Sequence, residues 1–219
     1  MNVEQARFNM VEQQIRPWEV LDQNILDLLY AVRREEFVPH AYRSLAFSDL
    51  EIPLGSKPGE CMWAPKVEAR VIQELAPRKT DRVLEIGTGS GYLAALLAHR
   101  AHHVHSVEIN SALVTMAKRN LESYGVSNVT VEQGDGARGW VKNAPYDVIV
   151  LTGSTPLLAE EILAQLKPGG RLFAIVGQTP VMSARLITSA DTGSGSIADL
   201  FETDFPALLN APSPSRFSF

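Results

Sequence analysis

The chain has 219 residues, 45% hydrophobic and 21% charged, the balance of a globular protein long enough to bury a full core without disulfide or metal staples. Its 20 Lys and Arg against 25 Asp and Glu leave a formal net charge of −5, so no polyanion-binding surface is expected and neither nucleic acid nor membrane is a predicted partner. A single cysteine, Cys61, excludes an intrachain disulfide framework and a zinc site of several thiolates, and the start MNVEQARFNMVEQQIR holds no apolar run fit for a signal peptide, which predicts a cytoplasmic protein.

Residues 1 to about 80 offer helical segments and a proline-punctuated loop. Ile25, Leu28, Leu29 and Val32 fall at helical spacing behind Asp22, a predicted N-cap. From Phe37 to Pro65 the breakers Pro39, Pro53, Gly55, Pro58, Gly59 and Pro65 predict a long irregular loop, kept ordered by Met62 and Trp63. Helical spacing resumes at Val67, Val71, Ile72 and Leu75. A strand–helix alternation follows: strand Arg82–Ile86, helix Tyr92–His99, strand His103–Val107, helix Asn110–Tyr124, strand Val129–Val131, and strand Tyr146–Thr152. The apolar run of that last strand suits a central position covered on both faces. Then come helix Leu157–Leu166, a turn at Lys167-Pro-Gly-Gly170, strand Arg171–Val176, and two closing strands of antiparallel character at Ala184–Thr188 and Leu200–Phe205, separated by the Gly/Ser stretch Thr192–Ser196. An extended Pro/Ser-rich tail, Ala211–Ser215, ends the pattern. The order predicts an α/β fold with a doubly wound, mostly parallel seven-stranded sheet.

The most informative stretch is Glu85-Ile-Gly-Thr-Gly-Ser-Gly-Tyr92, between the first strand of the alternation and its helix, where glycine lets a ligand approach the backbone closely. Glu108 lies twenty-one residues beyond Gly87, at the end of the next strand, where a carboxylate can accept both hydroxyls of a ribose. A packing-only glycine turn is the plain alternative; the acid at this spacing favours a nucleoside site. The dinucleotide fingerprint places its third glycine where this chain has Tyr92, and Glu85 adds negative charge where a pyrophosphate would sit. A cationic, phosphate-free ligand such as S-adenosylmethionine fits both departures. Gly134-Asp-Gly136 follows the third strand of the alternation; it is either a simple β-turn or a carboxylate placed for an adenine amine.

These residues resemble the protein-L-isoaspartate O-methyltransferases, on the S-adenosylmethionine-dependent methyltransferase fold. The resemblance runs in order from Met10-Val-Glu-Gln-Gln-Ile15 through Phe37-Val-Pro39, Pro53-Leu-Gly55, Val83–Tyr92, Gly134–Trp140, Ala144-Pro-Tyr-Asp147 and Gln165–Arg171. It implies S-adenosyl-L-methionine as cofactor, with Gly87, Thr88, Gly89, Ser90 and Gly91 around its methionine moiety, Glu108 at the ribose, Asp135 and Gly136 at the adenine, and Glu85, Ile109 and Met62 as further cofactor-binding residues. Residues 1–80 would form helices and an active-site loop packed on a core at 81–219, a single structural domain. The implied reaction is methylation of the α-carboxylate of isoaspartyl residues in damaged proteins or peptides; a small-molecule acceptor and a cofactor-binding module without turnover are the competing readings.

The likeness breaks at the acceptor loop. The family carries Gly-Gln-Thr-Ile-Ser ahead of a proline, and this chain has Gly59-Glu-Cys-Met-Trp-Ala-Pro65. Cys61 thus takes the position of the threonine and Trp63 that of the serine beside the transferred methyl group, which makes them the candidate catalytic positions. Trp63 is either a substrate-stacking platform or a plug. No metal is predicted, because His99, His102, His103 and His105 have no acidic or thiol partner at ligand spacing. Trp140 and Phe173 read as core, and Arg16, Arg33 and Arg34 as solvated surface charges or contacts to an anionic substrate.

Overall fold

The computed structural model describes residues 2–190 and 195–214. Helix α1 (Val3–Asn9) runs on through a wide π-helical turn at Met10–Ile15 that buries Met10, Val11 and Ile15. Helix α2 (Gln23–Ala31) starts where the Asp22 carboxylate accepts the Asn24 N–H at 2.8 Å, the predicted cap. The segment from Phe37 to Pro65 is less irregular than expected: it holds a 3-10 stretch at His40–Leu45 and a two-stranded antiparallel ladder of β1 (Ile52–Pro53) and β2 (Cys61–Met62). Helix α3 (Pro65–Leu75) follows, with proline at its first position, where a missing N–H costs nothing.

The strands β3 (Arg82–Ile86), β4 (His103–Glu108), β5 (Val129–Gln133), β6 (Tyr146–Thr155), β7 (Leu166–Gln178), β8 (Val181–Thr188) and β9 (Ser196–Thr203) form one sheet in the order β5-β4-β3-β6-β7-β8-β9. All pairs are parallel except β7–β8 and β8–β9. Alternate residues of the central strands feed two separate apolar layers: Val83, Val148 and Val150 join the layer under the N-terminal helices, and Leu84, Ile86, Ile149 and Leu151 the layer opposite. Helices α4 (Tyr92–Arg100) and α5 (Ser111–Tyr124) cover the first face, α4 being buried along nearly its whole length. Strand order reverses between β3 and β6, the place where open α/β sheets leave a crevice at their carboxyl ends.

Several predicted boundaries shift. The helix expected over Leu157–Leu166 is a single turn, α6 (Glu160–Leu163). Three things shorten it: β6 continues to Thr155, the Leu157 N–H is held by the Pro212 carbonyl, and Leu166 already pairs with Tyr146. The expected turn at Lys167-Pro-Gly-Gly170 is a bulge inside β7, with Gly169 at φ +70° and the Lys167 ammonium on Asp147. The last strand is Ser196–Thr203 rather than Leu200–Phe205. Of the Gly/Ser stretch before it, residues 192–194 lie outside the described residues, as does Ser215 of the tail. No helix among the described residues is long and apolar enough to cross a membrane.

Candidate active site

At the crevice, β3 ends in the glycine turn and β6 ends beside it, with Thr152 donating from its hydroxyl to the Ile86 and Gly87 carbonyls. Gly87 sits at φ +98°, and a Cβ there would lie 2.1 Å from the Thr152 hydroxyl, so only glycine lets the two strand ends meet. The turn's amides are already engaged within the protein. Gly87 donates to the Val107 carbonyl, Gly89 to the Glu108 carboxylate at 3.0 Å, Gly91 to the Thr88 carbonyl, and Tyr92 to the Ser90 hydroxyl. A pyrophosphate would find these donors taken and a carboxylate in its path, which is the physical case against a dinucleotide.

A cavity of about 160 Å³ opens here, lined by Gly87, Gly89, Glu108, Ile109, Asp135 and Gly136 among the sequence-predicted residues. Glu108 is nearly buried, and its two oxygens accept the Gly89 and Asn110 amides. A carboxylate offers about four acceptor sites, so capacity for a pair of hydroxyls remains. Asp135 accepts the Ala137 amide on one oxygen and the Asn210 carboxamide, at 2.8 Å, on the other.

A second, inner cavity of about 40 Å³ is lined by the buried Met62, Trp63, Glu68, Glu85, Thr88 and Ser90. Gly87, Gly89, Cys61 and Thr152 border both cavities, so the two adjoin. Glu85 is fully buried; one oxygen takes the Ser106 hydroxyl, itself 2.6 Å from that of Thr88, and Oε1 has no partner among the described residues. Burial pushes Glu85 up to about 8, with the Glu108 and Glu68 charges adding to it, so at neutral pH it is mostly protonated. The negative charge expected from Glu85 is therefore reduced at neutral pH.

Gly91 borders neither cavity; it caps α4 at φ +85°, and its open side faces Ala117 and Leu121 of α5. Trp63 is 4% exposed, edge-on to Phe173 and Phe205 with ring centroids 6.1 and 5.3 Å away. Its indole Nε1 is buried without a partner among the described residues. Cys61 is held as a thiol: burial and the neighbouring Glu51, whose carboxylate it meets at 3.4 Å, push it up to about 12. Arg34 departs from its expected solvated state. It is fully buried, ion-paired with Glu68, donating to the Trp63 carbonyl at 2.6 Å and lying 5.2 Å from the Tyr92 ring centre. Arg16 pairs with Glu12, and Arg33 lies against Tyr124. His103 and His105 stack on each other, and no group of metal-ligating side chains forms among the described residues.

Sequence reasoning missed much of the outer wall. Thr152 and Gly153 lie near the end of β6 and were inferable from the switch point. Residues 206–209 had no local signal; they arrive through long-range hydrogen bonds, Ser154 N–H to the Pro206 carbonyl and Leu208 N–H to the Ser154 carbonyl, and Leu208 packs on Gly153. Lys57, Pro58, Gly59 and Glu60 roof the cavity, with Glu60 tied to the Asn110 carboxamide at 2.6 Å.

Comparison with known proteins agrees with this arrangement. The Protein-L-isoaspartate O-methyltransferase 2 of Pelobacter propionicus is 41% identical over 176 residues, 80% of this chain and 77% of the relative. The Protein-L-isoaspartate O-methyltransferase 1 of Syntrophobacter fumaroxidans is 37% identical over 193 residues, 88% and 89% of the two chains. Among solved structures, a protein-L-isoaspartate O-methyltransferase superposes with a TM-score of 0.77 at 29% identity, covering 94% of this chain; this chain spans 65% of the length of that one. A Plasmodium falciparum structure, described as a putative protein-L-isoaspartate O-methyltransferase in complex with S-adenosyl-L-homocysteine, shares the fold with a TM-score of 0.74 at 18% identity, over 91% of this chain and 96% of its own. With the family model for Protein-L-isoaspartate(D-aspartate) O-methyltransferase (PCMT) matching residues 5–211, and a glycine turn and seven-stranded sheet to go with it, the chain belongs to the protein-L-isoaspartate O-methyltransferase family.

Proposed function

We propose that this chain is an S-adenosylmethionine-dependent carboxyl O-methyltransferase that acts on isoaspartyl residues in damaged proteins or peptides, in the cytoplasm. The observation that carries the reading is the pair of adjoining cavities at the switch point, the outer walled by Glu108 and Asp135, the inner by Glu85. The residues suit the cofactor: an acid with spare acceptor capacity for the ribose, a carboxylate for the adenine amine, and a buried carboxyl oxygen lacking a partner for an ammonium. Bound S-adenosylmethionine supplies an electrophilic methyl group on a sulfonium.

The chain's own work is then positioning. A carboxylate acceptor has an ordinary pKa near about 4 and is ionised at neutral pH, so no general base is required. Holding its oxygen in line and excluding water can lower the barrier by roughly 7–11 kcal/mol. The roof at residues 57–60 and the wall at 205–209 border the outer cavity and serve this purpose, with Gly59 packed on Pro206. Cys61 borders both cavities as a neutral thiol, a weak donor at the junction.

The test is transfer of labelled methyl from S-adenosylmethionine to an isoaspartyl peptide, with the matching aspartyl peptide as control. Base-labile label on the isoaspartyl peptide alone is expected. Binding of S-adenosylhomocysteine without transfer would overturn the acceptor assignment and leave the cofactor in place.

A further inference from the structure

Two side chains that line the inner cavity, Trp63 and Glu85, each carry a buried polar atom without a partner among the described residues, and the chemistries of the two atoms are opposite. Trp63 Nε1 can only donate, while Glu85 Oε1 belongs to a carboxyl that can turn anionic. Leaving such an atom unsatisfied is costly, so two in one pocket mark a place where a ligand completes the hydrogen bonding. The complement of this pair is a group that carries an anionic acceptor and a cationic donor close together, the head of an α-amino acid. The cavity, about 40 Å³, has room for roughly three water-sized groups. That accommodates an ammonium and a carboxylate on one carbon, and it excludes a peptide segment.

Position narrows the choice further. The acids suited to a nucleoside, Glu108 and Asp135, border the outer cavity, which Trp63 does not reach. A ligand whose nucleoside lies there has its other end beside Gly87 and Cys61, which also border the inner cavity. We infer that the Trp63 indole N–H receives the carboxylate of the cofactor's amino-acid end, beside the Glu85 carboxyl already suited to its ammonium. Trp63 is then a cofactor-binding residue, and the indole at this loop position contributes to cofactor selectivity instead of touching the methyl acceptor. The Arg34 guanidinium fixes it from behind by holding the Trp63 carbonyl and Glu68.

The inference rests on the cofactor reading above but not on turnover. It is tested by calorimetric binding of two probes, S-adenosylhomocysteine and 5′-methylthioadenosine, which share the nucleoside and differ in the amino-acid end. The native chain should favour S-adenosylhomocysteine. Trp63→Phe keeps the ring and removes the N–H, and should weaken S-adenosylhomocysteine by about ten- to hundredfold while leaving methylthioadenosine unchanged. Glu85→Gln should narrow the same preference, and stands in should the Phe variant fold poorly. An unchanged preference in both variants would overturn the inference, as would equal weakening of both probes, the mark of a merely structural role. A native chain that binds neither probe would overturn the cofactor reading itself, a result distinct from native binding that Trp63→Phe leaves intact.

Discussion

Replacing Arg34 by methionine tests the buried frame behind the site. The arginine side chain is wholly inaccessible and its partner Glu68 is 4% exposed, so methionine fills much the same volume while stripping the ion pair, the bond to the Trp63 carbonyl and the contact with the Tyr92 ring. Removing one member of a buried pair costs about 3–5 kcal/mol, because the remaining charge stays desolvated. Here that charge has an escape: burial already pushes Glu68 up to about 7, with Arg34 pulling it down, and without the guanidinium it moves further up. A carboxyl whose folded pKa lies above its unfolded value stabilises fully below the unfolded value, and that contribution is lost as pH rises through the folded pKa. The cost of Arg34→Met should therefore be about 3–5 kcal/mol at pH 8.5. At pH 6, where Glu68 carries its proton in both proteins, it should shrink to the lost hydrogen bond and ring contact, about 1–2 kcal/mol. Urea unfolding at the two pH values measures this, and Arg34→Met/Glu68→Met should regain most of the loss at pH 8.5. A cost below about 1 kcal/mol at pH 8.5, equal costs at both pH values, or a double variant worse than the single would each refute the reasoning.

Other outcomes follow from single groups. Gly87→Ala forces a side chain to φ +98° and against Thr152, and should lose about 1–3 kcal/mol from backbone strain alone, together with S-adenosylhomocysteine binding; a native-like melting temperature would contradict it. Glu85 holds its proton in the folded state up to about 8 and releases it near the ordinary carboxyl value when unfolded, so native stability should fall as pH rises from 6 to 9. Glu85→Gln should fall by about 2–3 kcal/mol less over that interval, read from urea midpoints, and a slope equal to native would count against the buried acid. Cys61 should react with a disulfide reagent at pH 8 at least about a hundredfold more slowly than in urea-unfolded chain, since the raised pKa removes the thiolate; equal rates would show that the thiol is neither buried nor acid-shielded.

The strands of the sheet were legible because runs such as Val148-Ile-Val-Leu151 have no other stable place in a folded chain, and the cap at Asp22 was legible because a short acceptor side chain satisfies a helix amide wherever it stands. The glycine turn with Glu108 located the crevice for the same local reason. What escaped was decided at long range. Leu157–Leu166 has helical spacing, but the competing pairing of Leu166 with Tyr146 draws the end of the segment into a strand. Arg34 reads as a surface charge until Glu68, thirty-four positions later, closes over it. Pro206 to Leu209 carries no pattern, and bonds with Ser154, from its N–H to the Pro206 carbonyl and from the Leu208 N–H to its carbonyl, make it a wall.

That wall has a consequence for biosynthesis. Residues 205–209 come later in the chain than every strand of the sheet, yet they close the crevice opened by β3, whose glycine turn ends more than a hundred positions earlier. On the ribosome, the first three parallel strands can assemble while the rest is still being made, but the outer pocket has no complete lining until residue 209 has emerged. A chain that stops short of it can hold most of its sheet and still present an open groove in place of the outer cavity. Closure of that groove is therefore a late event in synthesis, one that secondary-structure content would not reveal.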